Sequence, residues 1–272
     1  MTTTAKIIAD SVSPLGHRIT TMELNYPYII HAQVLTHRMF SRNSQSNRAI
    51  PVKRLIQRIL DNPYDPVFRA NQKGMVAGDI LVSQEEALLT WEKARQQAIG
   101  AAQTMDALHV HKETVNRLLL PFMHITTLVT STEWTNFFDL RIADDAQPEI
   151  QQLALEMRHA LLHSQTTLLK PGEWHLPYVT EKTDLATQIR LSTARCARVS
   201  YLTHDNATPS IEDDLRLYDD LVASTPIHGS PAEHPATPLS DSLFDHSYSH
   251  KDKDGVRWAA NFKGWKSHRS ML

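Results

Sequence analysis

Between Trp91 and Val115 the apolar residues Trp91, Ala94, Ala98, Ala101, Met105, Leu108 and Val115 recur at spacings of three, four and seven. That spacing sets them on one stripe of a helix, so residues 83–118 are predicted to form a long core helix. Ser83 followed by Glu86 has the capping-box pattern at its start, and Pro121 stops it. Residues 122–130 are rich in Thr, Val, Ile and Leu and suit a short strand or buried connection. Two helices are expected over 133–142 and 146–164, the second capped by Asp144-Asp145 with Pro148 in its first turn. Ile211 to Ala223 is amphipathic through Leu215, Leu217 and Leu221.

Weaker patterns fill the remainder. Residues 5–35 suggest strand, turn and helix: a short apolar run from Lys6 to Asp10, the turn Ser13-Pro14-Leu15-Gly16, then Tyr28 to Leu35. Residues 49–80 are mixed, broken by Asn62-Pro63 and Asp65-Pro66. Lys170-Pro171-Gly172 is a turn, 185–191 a short helix, 197–202 a strand and 224–240 a Pro- and Ser-rich loop. The tail from His246 is polar and basic but carries Trp258, Phe262 and Trp265. Its chemistry suits a nucleic-acid stacking strip, or a segment that docks on a neighbouring subunit or closes over a site.

At 272 residues the chain can bury a substantial core without covalent staples. A formal charge of −2 argues against binding nucleic acid by bulk electrostatics, so any anion site must be local. The lone Cys196 cannot form an internal disulfide and suits a small core position. No signal-like or membrane-length apolar run is present, and a cytoplasmic protein is expected.

The densest chemistry lies in Thr36-His37-Arg38-Met39-Phe40-Ser41-Arg42-Asn43-Ser44-Gln45-Ser46-Asn47-Arg48. Three arginines, a histidine and several hydroxyls directly follow an apolar run, a donor set able to hold phosphate or a dianionic nucleotide. Arg42, Arg54 and Arg58 suit solvated surface charges, and His109 and His111 suit the end of the long helix. His228 and His234 could be taken as a metal pair, but Pro231 spoils a helical geometry between them. Eight glycines without a Gly-rich phosphate loop leave no dinucleotide fingerprint.

Thr36-His37-Arg38 with Ser46 resembles the Arg-His-Arg-x7-Ser signature of the flavin-dependent thymidylate synthases, the ThyX family. Arg117-Leu118-Leu119-Leu120-Pro121 is similar to that family's Arg-x-x-Leu-Pro element. Asn136 to Arg141 followed by Ala146 to Ile150 resembles its site helix pair. His228-Gly229-Ser230-Pro231-Ala232-Glu233-His234 resembles its flavin motif, and Ala197 to Tyr201 the strand that opens its fold. In the family these last two blocks come first. The resemblance therefore implies a permuted chain order, with the former N-terminal part at about 190–240 of a single catalytic domain over 1–245, and a tail over 246–272.

The resemblance further implies an α/β (α+β) fold, a mixed or antiparallel sheet flanked by long helices, in a homotetramer with shared sites. It assigns Gln33, Ser46, Asn47, Arg48, Arg117 and Arg141 to the nucleotide. It assigns His37, Arg38, Ser44, Asn136, His228 and Ser230 to FAD, and no residue to a metal. The implied reaction is reductive methylation of dUMP at C5 to dTMP, with methylenetetrahydrofolate and NADPH as co-substrates. Arg141 would be the catalytic cation beside the pyrimidine N3 and O2. The same scaffold acting on dCMP or UMP, or making a hydroxymethyl product, is the first alternative; a non-catalytic nucleotide-binding protein is the second. Three departures fall on the flavin side. Thr36 replaces an arginine, Ser44 a glutamate, and Thr130-Ser131-Thr132 stands in place of Asn-Ala-Arg.

Overall fold

Two long strands, β1 (Thr4–Val12) and β2 (Arg18–Pro27), open the chain as an antiparallel hairpin around the turn at Gly16. The computed structural model describes residues 3–74, 76–200, 209–222, 224–240, 242 and 246–272. Next come α1 (His31–Leu35), β3 (Ser41–Ser44), α2 (Val52–Asp61), α3 (Gln84–Ala107) and α4 (Lys112–Val115). A 3-10 turn over Asn116–Phe122 leads into β4 (His124–Ser131). The order continues with α5 (Thr135–Arg141), α6 (Pro148–His163), β5 (Thr167–Leu168), α7 (Leu185–Arg198) and α8 (Ile211–Val222). Short strands close the chain: β6 (Ala236–Pro238), β7 (His250–Lys251), β8 (Arg257–Ala259), β9 (Phe262–Lys263) and β10 (Trp265–Ser267).

The main sheet has the order β3-β4-β2-β1-β5, antiparallel except for the β1–β5 pair. This is the mixed, helix-flanked α/β sheet that the sequence leads one to expect. Period two divides β2 between two interiors. Met22, Leu24 and Tyr26 face a core with Ile125, Val129, Phe137 and the α6 residues Ile150, Leu153, Ala154 and Met157. On the other face Ile19 packs with Ala236, Phe262 and Trp265, and Thr21 meets the buried His175. Because both faces are covered, polar threonines sit inside β2, which blurs the alternation. The helix expected to follow the first turn is therefore a ten-residue strand ending in two short helical turns.

Other elements also depart from the pattern. The long helix stops at Ala107, His109 adopts φ 59°, and the chain restarts as α4 and a 3-10 turn that carries Pro121 within it. The buried face of α3 is Arg95, Ile99 and Ala102, whereas Ala94, Ala101 and Leu108 of the expected stripe are exposed. Arg95 is buried because its guanidinium reaches Asp65, Glu92 and the carbonyl of Tyr64. Ser83 makes no capping bond. The start of α3 is fixed by Gln84, whose side-chain amide bonds both the N–H and the carbonyl of Phe68. His111 caps α4 by accepting from the Glu113 N–H at 3.3 Å. Residues 52–61, where Pro-containing pairs obscure the periodicity, form α2 with Leu55, Ile56 and Ile59 buried.

At 197–200 the expected strand is instead the end of α7 and a turn, and 201–202 lie outside the described residues. Arg195 and Arg198 hold that helix end by gripping the buried Asp214 of α8 at 2.8 and 2.5 Å. Cys196 is buried, as expected, against Leu128 and Val199. The tail does not present an aromatic strip. Phe262 and Trp265 are 2% and 0% exposed and belong to the core beneath β2, with the Trp265 indole N–H donating to the His17 carbonyl at 2.9 Å. The chain passes so close to His17 that a Cβ on Gly264 would lie 2.3 Å from its ring, and Gly264 itself has φ 72°. Such contacts leave Trp265 no face for a base.

Candidate functional site

The segment after α1 is braced by its own polar groups. The Thr36 hydroxyl donates to the Gln33 carbonyl at 2.6 Å, and the Arg42 guanidinium donates to the carbonyls of Leu35 and His37. Arg42 is thus a strut under the loop rather than a free surface charge. Phe40 anchors the turn against Trp134, which precedes α5, and Phe137 of α5. His37 stands edge-on to Phe137, ring centroids 4.7 Å apart. The Arg141 Nε–H donates to His37 Nε2 at 3.0 Å. Burial, and then the positive charges of Arg141 and Arg42, push the His37 pKa down to about 4. The ring is neutral at pH 7, with Nε2 accepting and the proton on Nδ1. Only Nε of Arg141 is engaged among the described residues, so its terminal N–H groups are available to a planar acceptor edge.

His37, Arg38, Asn136 and Arg141 line one cleft of about 380 Å3 with Glu133 and Leu140. Arg38 and Asn136 are exposed. Four of the residues singled out from sequence therefore come together here, two from the loop after α1 and two from α5.

The remaining residues form separate groups. Gln33 donates to Gln147 at 2.5 Å, Gln147 to Glu149 at 2.9 Å, and the Tyr64 hydroxyl also donates to Glu149 at 2.6 Å. Gln147 was not anticipated; its place just before Pro148, as the residue that opens α6, is the signal. Arg48 and Arg117, both exposed, converge on Glu113, one through an ion pair at 3.1 Å and one through its carbonyl at 3.2 Å. Beside them the Asn47 carbonyl accepts from Asn116 at 2.7 Å, while Asn47 Oδ1 is buried without a partner among the described residues. The Ser46 N–H donates to the Ser200 carbonyl at 3.4 Å. The third group joins distant segments: Ser230 donates to Asn43 at 3.2 Å, and Ser44 accepts from Thr127 at 3.1 Å and, through its carbonyl, from Ser200 at 2.7 Å.

His228 is exposed, whereas His234 is buried and bonded to Thr130 at 2.8 Å. They form no metal pair, and no cluster of metal-binding side chains occurs among the described residues. No helix is long and apolar enough to cross a membrane among those residues.

The hydroxyls of Thr130-Ser131-Thr132 are all in use. Thr130 meets Thr21 and His234, Ser131 donates to the Glu133 carbonyl at 2.9 Å, and Thr132 accepts the Lys263 N–H at 2.9 Å. Arg38, Asn136 and Arg141 bring further N–H donors to the cleft, a set whose chemistry suits phosphate oxygens and ring carbonyls.

Comparison with known proteins bears on this geometry. The family model described as thymidylate synthase complementing protein matches residues 5–163, more than half of the chain. The chain belongs to the ThyX family. The matched span runs from β1 to the end of α6, so it contains the His37–Arg141 cleft, and the His228–His234 motif lies beyond it. Among solved structures the chain is similar to a UMP/dUMP methylase, PolB, from Streptomyces cacaoi. The form bound with 5-Br UMP gives 16% identity over 58% of this chain and 88% of that one, at a TM-score of 0.46. The form bound with 5-Br dUMP gives 16% over 58% and 89%, at 0.48. No curated protein matches.

Proposed function

We propose that this ThyX-family chain methylates C5 of dUMP to give dTMP, using FAD, methylenetetrahydrofolate and NADPH. The observation that carries the reading is the Arg141–His37 pair at 3.0 Å in a cleft that also holds Arg38 and Asn136. Moving electron density onto C5 of a uracil develops negative charge on the ring, and an arginine that cannot lose its proton stabilises that charge. His37 is neutral at pH 7 and takes the Arg141 Nε–H, which fixes the plane of the guanidinium and leaves its outer N–H groups for the pyrimidine N3 and O2 edge. Bound flavin supplies the reducing equivalents, so no cysteine nucleophile is needed. That agrees with Cys196, whose thiol is buried and pushed far up in pKa by desolvation.

In this reading Arg38, Asn136 and His37 hold FAD in the cleft, while Ser44, Ser230 and His228 meet it from the β3 side. The nucleotide takes Gln33, Ser46, Asn47, Arg48, Arg117 and Arg141. These groups are separated within one chain, which agrees with sites completed between subunits of a homotetramer; a cytoplasmic location is part of the same proposal. The permuted chain order is part of the same proposal, supported by the Ser230–Asn43 bond between the late motif and β3.

The test is product analysis with dUMP, dCMP and UMP in the presence of FAD, NADPH and methylenetetrahydrofolate. Thymidylate from dUMP is expected, with Arg141→Ala slowing turnover by about 100-fold or more. A hydroxymethyl product, or faster conversion of dCMP or UMP, displaces the thymidylate reading. Protein that stays colourless after FAD is added removes the flavin route.

A further inference from the structure

Two arginines expected to be solvated are instead spent on the fold. Arg42 braces the loop after α1, and Arg58 is half-buried in the wall of a cavity beside α2. Lys263 of the tail is placed differently, because it arrives at the cleft. Phe262 and Trp265 on either side of it are buried anchors, and its backbone N–H donates to the Thr132 hydroxyl at 2.9 Å. Its ammonium lies 3.6 Å from the carboxylate of Glu133, which lines the cleft with His37, Arg38 and Arg141. The ring of Trp258, its partner across the β8–β9 pair, stands 6.0 Å from the ammonium, and the Asp252 carboxylate is 3.7 Å away. Asp252 is already served by the N–H groups of Asp254, Val256 and Trp258. The Glu133 carboxylate has no other charged partner among the described residues.

A carboxylate is an awkward neighbour in that cleft. Arg38 and Arg141 share the space, and a carboxylate free to turn toward their guanidiniums competes with any anionic ligand for them. We propose that Lys263 is a positioning residue for the cleft: its ammonium holds the Glu133 carboxylate against the tail and so keeps Arg38 and Arg141 open to a phosphate-bearing ligand. The lysine can do this because its backbone is fixed by the two buried aromatics and by Thr132, and because its side chain is only 26% exposed, so that solvent and salt screen the pair less than a free surface pair. This role rests on the proposed use of the cleft for binding. It gives a purpose to the tail, which lies outside the span that the family model matches. Removing the charge while keeping the aliphatic stem isolates the ammonium, and arginine restores it.

The test uses the full chain with inorganic pyrophosphate as probe, read by titration calorimetry at low salt. Arg38→Ala should weaken binding, which places the probe in the cleft. Lys263→Met should weaken it by about 3–5-fold, the competition that one partly exposed ion pair offers. Lys263→Arg should stay within about 1.5-fold of the parent, because the charge is kept. In a Glu133→Gln background, where no carboxylate needs holding, Lys263→Met should cost less than about 1.5-fold. A lysine that merely supports the fold, or that meets the ligand itself, lowers binding alike in both backgrounds. Equal losses therefore overturn the inference, as does undiminished binding in Lys263→Met. Displacement of the probe by FAD assigns the cleft to a cofactor phosphate, and displacement by dUMP to a substrate phosphate; either supports the inference, and displacement by neither overturns it. Binding unchanged in Arg38→Ala refutes the use of the cleft itself, and this role with it. Every Lys263 variant keeps the backbone bond to Thr132; if Lys263→Met does not fold, Lys263→Gln is read in the same way.

Discussion

Acidification should weaken this protein between pH 6.5 and 3 through a buried chain of side chains. Ser11 meets His175 Nδ1 at 2.9 Å, His175 Nε2 meets Thr21 at 2.8 Å, Thr21 meets Thr130 at 2.6 Å, and Thr130 meets His234 Nδ1 at 2.8 Å. Both histidines are essentially fully buried. Burial pushes each from 6.5 down to about 3; Asp10 opposes this slightly for His175, and His175 reinforces it for His234. Folded, the rings stay neutral; unfolded, each takes a proton below pH 6.5. The unfolded state binds more protons throughout that window, so stability is complete above 6.5, falls with pH, and stops falling from this source below about 3. Each ring contributes a slope of about 1.4 kcal/mol per pH unit, hence about 2 kcal/mol each between pH 7 and 5 and about 4 together. That is a large share of the about 5–15 kcal/mol that holds a typical domain. Half-buried His31, His37, His124 and His268 shift in the same direction, so the measurement has to be a difference. Urea unfolding at pH 7, 6 and 5 should show the stability lost between pH 7 and 5 reduced by about 2 kcal/mol in His234→Gln or His175→Gln, an average of about 1 kcal/mol per unit. An unchanged slope in both variants would falsify the assignment of buried neutral rings, whatever their absolute stability.

Two further substitutions probe single contacts. Asp214→Ala strips Arg195 and Arg198 of a buried shared carboxylate. It should cost about 3–5 kcal/mol, a fall of about 6–20 °C in Tm; a fall below about 2 °C would show that the pair does not tie α8 to α7. Ser83→Ala should stay within about 0.5 kcal/mol of the parent, because Ser83 makes no capping bond and Gln84 fixes the helix start. A loss above about 1 kcal/mol in urea unfolding would restore the capping box.

Where local chemistry alone decides structure, the sequence was legible. The paired helices α5 and α6 follow from apolar spacing and from Pro148, and β4 from its run of branched residues. The run Thr36–Arg48 is recognisable as a donor-rich segment, but its pattern does not show that Ser41–Ser44 enters the sheet as β3 with Ser41, Asn43 and Gln45 buried. Its meeting with Arg141 across the cleft depends on Phe40 stacking on α5, a contact that no spacing encodes. The strand expected near 197 failed for a related reason. Alanines and β-branched residues there suit either state, and the grip of Arg195 and Arg198 on Asp214 selects helix.

By itself the sequence determined the class of fold, the family and the residue types of the site, because period, turn chemistry and motif order are properties of short segments. Tertiary structure decided which of those residues meet. It sent Phe262 and Trp265 into the core beneath Ile19. It occupied the Thr130–Thr132 hydroxyls with buried partners and with the tail. It also brought Lys263 of the tail to Glu133 at the cleft. Burial on both faces of β2 is the common physical reason: a side chain's solvation and partners are set by what covers it, and the segments that cover Ile19 lie more than 200 residues away in the chain.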